Sequence, residues 1–459
     1  MNKTPLENWI RDQVVPAGGG ELTTAVLEAY QLEKIREVVA FARQESPFYR
    51  QQLAEIDLDS LRDFADFDKL PFTTAADLRV QGMKMLCTPL EQIARIVTLQ
   101  TSGTTGAAKR VFFTAEDLAA TADFFRCGMS TLVQPGEIVV ILLPGERPDS
   151  VGHLLAKALA SSGVKPVVLG PVTDCAATRA ELLQHPSACL VGIPTQLLSL
   201  ARTDVDGIIA RGWVKSVLLS TDYVPEAVQV ELEHLWGCRV LTHYGMTETG
   251  LGGGVECEAG AGYHLRGADL YTEIIDPATG KRVADGVSGE VVFTTLRRRG
   301  MPLIRYRTGD LAKMVAEPCP CGSVLKRLAR VQGRIDSCVP LSQGQNLSMT
   351  ALDELIFPIP GLLNFSASVN REAGQDRLHL SLQVCRGTEE RVAREALGVL
   401  LRSEPVAPLF RRRALAMGSI TFNTAGWFTS GTGKRRVSIH RQSRWLYNCE
   451  PLKAVCSKN

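Results

Sequence analysis

Apolar runs that alternate with helix-patterned stretches set the strongest limit on how this chain can fold. Ile138-Val139-Val140-Ile141-Leu142-Leu143 ends at Pro144-Gly145 and reads as a buried strand. Val167-Val168-Leu169 and Val217-Leu218-Leu219 repeat the pattern, and helical stretches follow after turns, as from Pro225 to Trp236. Strands separated by helices favour parallel pairing, because each helical crossover returns the chain to the same end of the sheet.

Upstream, Glu21 to Gln44 carries Leu22, Val26, Ala29, Tyr30, Ile35, Val38 and Phe41 at about a 3.6-residue period, which predicts a helix. Between Tyr263 and Met314 the apolar stretches shorten to Tyr271–Ile275, Gly289–Thr294 and Leu311–Met314, with a turn at Asp276-Pro277-Ala278-Thr279-Gly280. Beyond Asp336 the character changes again. Leu378, Leu380, Leu382 and Val384 alternate with polar residues, Thr388 to Ser403 reads as an amphipathic helix, and Ser419 to Phe422 as a closing strand. The expected class is α/β: a large N-terminal α/β domain with mostly parallel sheets and a β-rich subdomain over 1–335, plus a small α+β C-terminal domain over 336–459.

A length of 459 residues allows these domains a large core. The formal net charge of +2 argues against a nucleic-acid surface as the main business, so no nucleic-acid partner is expected. Arginine runs at Arg297–Arg299, Arg411–Arg413 and Arg435–Arg436 read as solvated faces. No apolar run is long enough to span a bilayer and the first residues lack the apolar core of a signal peptide, so no membrane partner is expected and the cytoplasm is the default address. Twelve cysteines in such a chain point to reduced thiols or metal ligands rather than disulfides.

The run Thr101-Ser102-Gly103-Thr104-Thr105-Gly106-Ala107-Ala108-Lys109 concentrates hydroxyls and glycines ahead of a lysine. Glycines let the backbone approach a ligand closely, successive N–H groups form an anion nest, and hydroxyls add donors. A phosphate chain is the natural guest, although the Walker pattern is absent. Three motifs follow: His243-Tyr244-Gly245-Met246-Thr247-Glu248, Tyr306-Arg307-Thr308-Gly309-Asp310 and Gly333-Arg334-Ile335-Asp336. In order and content the four resemble the adenylate-forming superfamily of acyl-CoA synthetases, adenylation domains and luciferases. Ser46-Pro47-Phe48-Tyr49-Arg50 and Leu70-Pro71-Phe72-Thr73-Thr74, leading into the Thr101 loop, resemble the N-terminal half of phenylacetate–CoA ligases. The resemblance runs from Ser46 to Arg436.

That resemblance implies an ATP-dependent acid–CoA ligase. A carboxylate is a poor electrophile because its leaving group would be oxide; transfer to the α-phosphate of ATP makes AMP the leaving group, and a thiol then attacks the acyl-adenylate. Thr101, Ser102, Gly103, Thr104, Thr105 and Gly106 would cradle the β- and γ-phosphates, with Lys109 as an added cation. Thr247 would touch the α-phosphate and Glu248 would hold Mg²⁺, a hard cation that prefers carboxylate oxygen. Tyr244 would stack on adenine, with Gly245 and Met246 beside it. Asp310 would accept both ribose hydroxyls, Arg334 would bind ribose or phosphate, and Asp336 would be the hinge of a mobile C-terminal domain. Lys434, in Ser430-Gly431-Thr432-Gly433-Lys434-Arg435-Arg436, would bridge the carboxylate and α-phosphate during adenylation.

Cys257, His264, Cys319 and Cys321 offer three thiolates and one imidazole, the donor set of a tetrahedral structural Zn²⁺ site, and related phenylacetate–CoA ligase-like proteins carry a similar set. The acyl pocket is expected near Gly152-His153, Ser220, Thr221, Asp222, His243 and Gly250. There the chain departs from its relatives: Ser220-Thr221-Asp222 stands where Gly-Ala-Glu or Gly-Gly-Glu is common, and Leu143 to Pro148 replaces an aromatic, glycine-rich stretch. An aryl or arylacetic-type acid is the leading substrate class. Adenylate transfer without CoA, or to a carrier-protein thiol, is the first alternative, and a non-catalytic nucleotide-binding protein the second. The resemblance leaves a homodimer open.

Overall fold

The computed structural model describes residues 2–17, 19–99, 108–372, 374–423 and 435–440. Its largest sheet has eight strands in the spatial order Arg327–Leu328, Tyr263–Leu265, Gly254–Glu256, Arg239–Tyr244, Ser216–Leu219, Cys189–Gly192, Ile138–Leu142 and Lys165–Val168. The last five pair in parallel. The first three extend the sheet antiparallel. Cys189–Gly192 and Ser216–Leu219 are buried throughout, as strands covered by helices on both faces must be. Lys165–Val168 lies at the edge and is half exposed. Helices Val151–Ser161, Pro194–Arg202 and Glu226–Trp236 make the returns.

A second sheet of four antiparallel strands joins Leu270–Ile275, Gly289–Thr295, Tyr306–Ala312 and Gly333–Arg334. The expected strand at Leu311–Met314 is corrected here: it starts five residues earlier at Tyr306 and ends at Ala312. Arg307, Thr308, Gly309 and Asp310 break the apolar pattern that sequence reading follows, yet the ladder to Gly289–Thr295 carries them as strand with alternating burial. The Asp276 turn is as expected, closed by Gly280 N–H to the Asp276 carbonyl at 2.8 Å.

At Arg334 the chain leaves this sheet, turns through Ile335–Ser337 and enters the hairpin of Cys338–Pro340 with Asn346–Ser348. Beyond it a four-stranded sheet has the order Ala416–Phe422, Gln375–Val384, Leu362–Glu372 and Ser438–His440, packed with helices Met349–Ile356 and Glu389–Arg402. Its strand Leu362–Glu372 and helix Met349–Ile356 have no counterpart in the sequence reading. An apolar core runs without a break from Val140, Leu197 and Trp236 into Leu352, Phe365 and Leu380, so both parts of the chain share it. Polar ties reinforce that seam. Ser199 Oγ donates to the Leu363 carbonyl at 3.0 Å, and Arg202, paired with Glu231, donates to the carbonyls of Phe357 (2.9 Å) and Leu362. Among the described residues no helix is long and apolar enough to cross a membrane.

Candidate active site

The strand pairing Asp310↔Arg334 places these two side chains together. Arg334 Nη1 donates to Asp310 Oδ1 at 2.6 Å, and the Tyr244 hydroxyl donates to Oδ2 at 3.1 Å. Asp310 is fully buried. Burial and the Asp310 charge push the Tyr244 phenol well above its ordinary range, so it remains a neutral donor. Tyr244 also packs against Tyr263, with ring centroids 6.0 Å apart. A cavity of about 190 Å³ opens here, lined by Tyr244, Gly245, Asp310, Arg334, Asp222 and His243 among others.

Thr247, Glu248 and Thr249 form a short helical turn after the strand Arg239–Tyr244, and Gly250 ends it in the left-handed region at φ +79°. A side chain at Gly250 would also meet Arg298 and Thr121, which back this turn. Met246 is partly buried against the core and its N–H binds Thr249 Oγ1 at 3.1 Å. The Glu248 side chain is 2% exposed. Its Oε1 accepts from Lys109 Nζ and from the Tyr306 hydroxyl, the latter at 3.0 Å. Burial alone would push this carboxyl up; the Lys109 ammonium, with help from Tyr306, outweighs that and holds it below the usual carboxylate value. Arg298 donates to the Glu248 carbonyl at 2.8 Å and lies 5.0 Å from the Phe113 ring centroid.

Sequence reading gave Tyr306 no role and placed Arg298 in a solvated run. Arg298 is instead buried, and that burial lowers its pKa to about 10. Arg435 is largely enclosed, against Asp353 at 3.0 Å and the Phe365 ring at 4.6 Å, whereas Arg411–Arg413 are exposed as expected. An isolated arginine run carries no signal that separates these cases. Membership of the Tyr306–Asp310 motif was the one available pointer to Tyr306.

The N-terminal motifs buttress this centre. The Tyr49 hydroxyl lies 3.0 Å from Thr73 Oγ1, which donates to the Ile304 carbonyl at 2.8 Å. Thr73 also exchanges backbone hydrogen bonds with Arg305 and Arg307, on either side of Tyr306. Arg305 is buried against Glu273 at 2.8 Å and above the Phe72 ring at 4.2 Å.

Ser220 follows the strand Ser216–Leu219, and its Oγ lies 3.2 Å from His243 Nδ1. Thr221 takes φ +77°, a conformation that favours glycine, which fixes a sharp turn between Ser220 and Asp222. Asp222 Oδ1 accepts from its neighbour Tyr223 N–H at 2.8 Å and from Arg435 N–H at 3.4 Å. His153 lies apart, half exposed, with Nδ1 accepting from Asp149 N–H at 3.0 Å.

Cys257, His264, Cys319 and Cys321 converge, each buried, with their ligand atoms all within 4.8 Å of one another. Cys257 Sγ and Cys319 Sγ are 3.7 Å apart, and Cys321 Sγ lies 3.5 Å from His264 Nε2. A tetrahedron with Zn–S near 2.3 Å and Zn–N near 2.0 Å has edges of about 3.5–3.8 Å, which these two separations match. Thr101–Gly106 and Lys434 lie outside the described residues, and Asp336 sits in the Ile335–Ser337 turn.

A family model described as AMP-binding enzyme matches residues 29–296. The phenylacetate-coenzyme A ligase of Thermus thermophilus is 29% identical over 388 residues, covering 81% of this chain and 84% of that one. The phenylacetate-coenzyme A ligase of Aromatoleum evansii is 31% identical over 371 residues, covering 78% and 82%. Among solved structures, a 2-hydroxyisobutyryl-CoA ligase in the postadenylation state superposes with a TM-score of 0.75 over 91% of this chain and 90% of that one. At 20% identity that likeness concerns the fold alone. With the three downstream motifs and Lys109 brought to one buried corner, the chain belongs to the AMP-binding enzyme family, the adenylate-forming class. Its place there is in the phenylacetate–CoA ligase-like branch.

Proposed function

We propose that this chain is an ATP-dependent carboxylic acid–CoA ligase that works through an acyl-adenylate and acts on an aryl or arylacetic-type acid. The observation that carries this reading is the cavity walled by Tyr244, Asp310 and Arg334, with ionised Glu248 four residues beyond Tyr244. A substrate carboxylate oxygen attacks the α-phosphorus, the bond to the β-phosphate oxygen breaks, and pyrophosphate leaves. The CoA thiol then attacks the acyl carbon and AMP departs with the electron pair.

Asp310, with two acceptor oxygens, suits a vicinal ribose diol, and Arg334 beside it adds a cation for ribose or phosphate. Thr247 faces the α-phosphate in this reading, Thr101–Gly106 cradle the outer phosphates, and Lys434 bridges carboxylate and α-phosphate. Glu248 is the oxygen ligand for Mg²⁺, which would neutralise phosphate charge. Asp336 is the hinge between residues 1–335 and 336–459. Cys257, His264, Cys319 and Cys321 hold a structural Zn²⁺; four protein donors leave it no open position for catalysis.

The test is exchange of labelled pyrophosphate into ATP across a panel of aryl and arylacetic acids, followed by AMP release with and without CoA. Exchange with at least one acid and CoA-dependent AMP release are expected. A panel without exchange overturns acid activation; AMP formed at full rate without any thiol overturns the role of CoA.

A further inference from the structure

His243 is the one aromatic side chain of the motif whose polar edge the nucleotide corner does not use. In the strand Arg239–Tyr244 neighbouring side chains face opposite ways, so His243 turns from Tyr244 and Asp310 towards Ser220 and Phe124. Its surroundings are tight and apolar. The Phe124 ring centroid is 6.3 Å away; a methyl group on Gly245 would come within 2.8 Å of Cε1, and one on Gly252 within 3.3 Å of Nε2. Burial pushes the imidazole down to about pKa 4, so it is neutral at pH 7. Nδ1 is engaged by Ser220 Oγ at 3.2 Å, whereas Nε2 is buried without a hydrogen-bond partner among the described residues.

A polar atom sealed from water with no partner is costly, and the cost is removed by a ligand that supplies one. The cavity at Tyr244 and Gly245 also reaches His243, so a ligand that fills the nucleotide corner has a route to this ring. Whichever tautomer Ser220 selects, Nε2 either donates or accepts one hydrogen bond. A hydroxyl group serves in both cases, because it can do either.

We propose that His243 is a specificity-determining residue whose Nε2 hydrogen-bonds a hydroxyl substituent on the acyl group, so the preferred acid is a hydroxylated aryl or arylacetic acid. This rests on the acid-activation reading above. It also places the reaction: the enzyme consumes the product of a step that leaves a free carboxylate and a ring hydroxyl, and delivers a hydroxyacyl thioester.

The pyrophosphate-exchange panel should pair each unsubstituted acid with its hydroxylated analogues. Wild type should favour one hydroxylated acid over its parent by at least about tenfold in kcat/KM. His243→Leu should erase that preference, and His243→Gln, which keeps a polar atom nearby, should retain part of it. A wild type that shows no such preference, or a His243→Leu enzyme that keeps it, overturns the proposal. If His243→Leu does not fold, the wild-type panel and His243→Gln decide. Exchange with unsubstituted acids only would reject this inference and leave the ligase intact; no exchange at all would reject the ligase itself.

Discussion

Lys109 and Glu248, 139 residues apart in sequence, neutralise each other inside the candidate site. In the proposed reading, phosphates with their cation take each member of this pair from the other. Lys109→Met leaves a nearly unexposed carboxylate without its cation, and urea unfolding at pH 7 should show a loss of about 3 kcal/mol. The sign of the pH effect follows from the lowered carboxyl. In wild type this contribution is present above the ordinary value of 4.5 and is lost as the pH falls through the lower folded value. In the variant, burial outweighs the remaining Tyr306 and backbone hydrogen bonds and raises the carboxyl, so its deficit relative to wild type should shrink with acidification. His243 gives a second pH signature. Its folded value of about 4 lies below the free value of 6.5, so wild type loses stability as the pH falls between these two values. The fall in urea midpoint across that window should be smaller in His243→Leu. At this scale the motifs singled out Asp310, Arg334 and Glu248, and the structure buries Asp310 and Glu248 beside their motif partners. Lys109 was legible only as a generic phosphate cation, because its contact with Glu248 depends on how two distant turns meet. Arg298 was misread for the same reason: its partner is a backbone carbonyl, and no side-chain pattern records that.

Elements were legible where a period ran undisturbed. The parallel strands Ile138–Leu142 and Ser216–Leu219 are dense in β-branched and leucine residues, and the helix Glu226–Trp236 follows a plain turn. The strand Tyr306–Ala312 was cut short in sequence because Arg307, Thr308 and Asp310 interrupt its apolar pattern; the ladder to its neighbour, not side-chain hydrophobicity, keeps it extended. The Cys/His cluster belongs to this scale too. It joins the loop after Gly254–Glu256 to the Cys319–Gly322 turn, at the edge where Arg327–Leu328 pairs with Tyr263–His264. Elemental analysis of chelator-washed wild type should find about one zinc per chain. Cys321→Ser should contain much less and unfold at a lower temperature, and zinc content equal to wild type would contradict the assignment.

For the whole molecule, the expected two-part division meets a core that both parts share. The C-terminal elements were partly hidden in sequence because Met349–Ile356 and Leu362–Glu372 bury residues against Leu197 and Leu198 as well as against one another. Arg202 is the polar rivet of that seam, 4% exposed and bound to Glu231 and two carbonyls across it. Arg202→Met should cost about 2–4 kcal/mol by urea unfolding and speed proteolysis near Ile335–Ser337, since it strands buried acceptors. Unchanged cleavage there would argue that the apolar contacts alone hold the seam. The hook of Tyr49 and Thr73 onto Ile304 and Tyr306 has a different consequence, one of timing. It joins segments 231 residues apart, and Tyr306 in turn steadies Glu248. Such distant closure is slow, because loop entropy is lost before the contact forms. On the ribosome, a nascent chain cannot complete its nucleotide corner until the Tyr306 strand has emerged. During refolding, ATP binding should return after most of the helical signal.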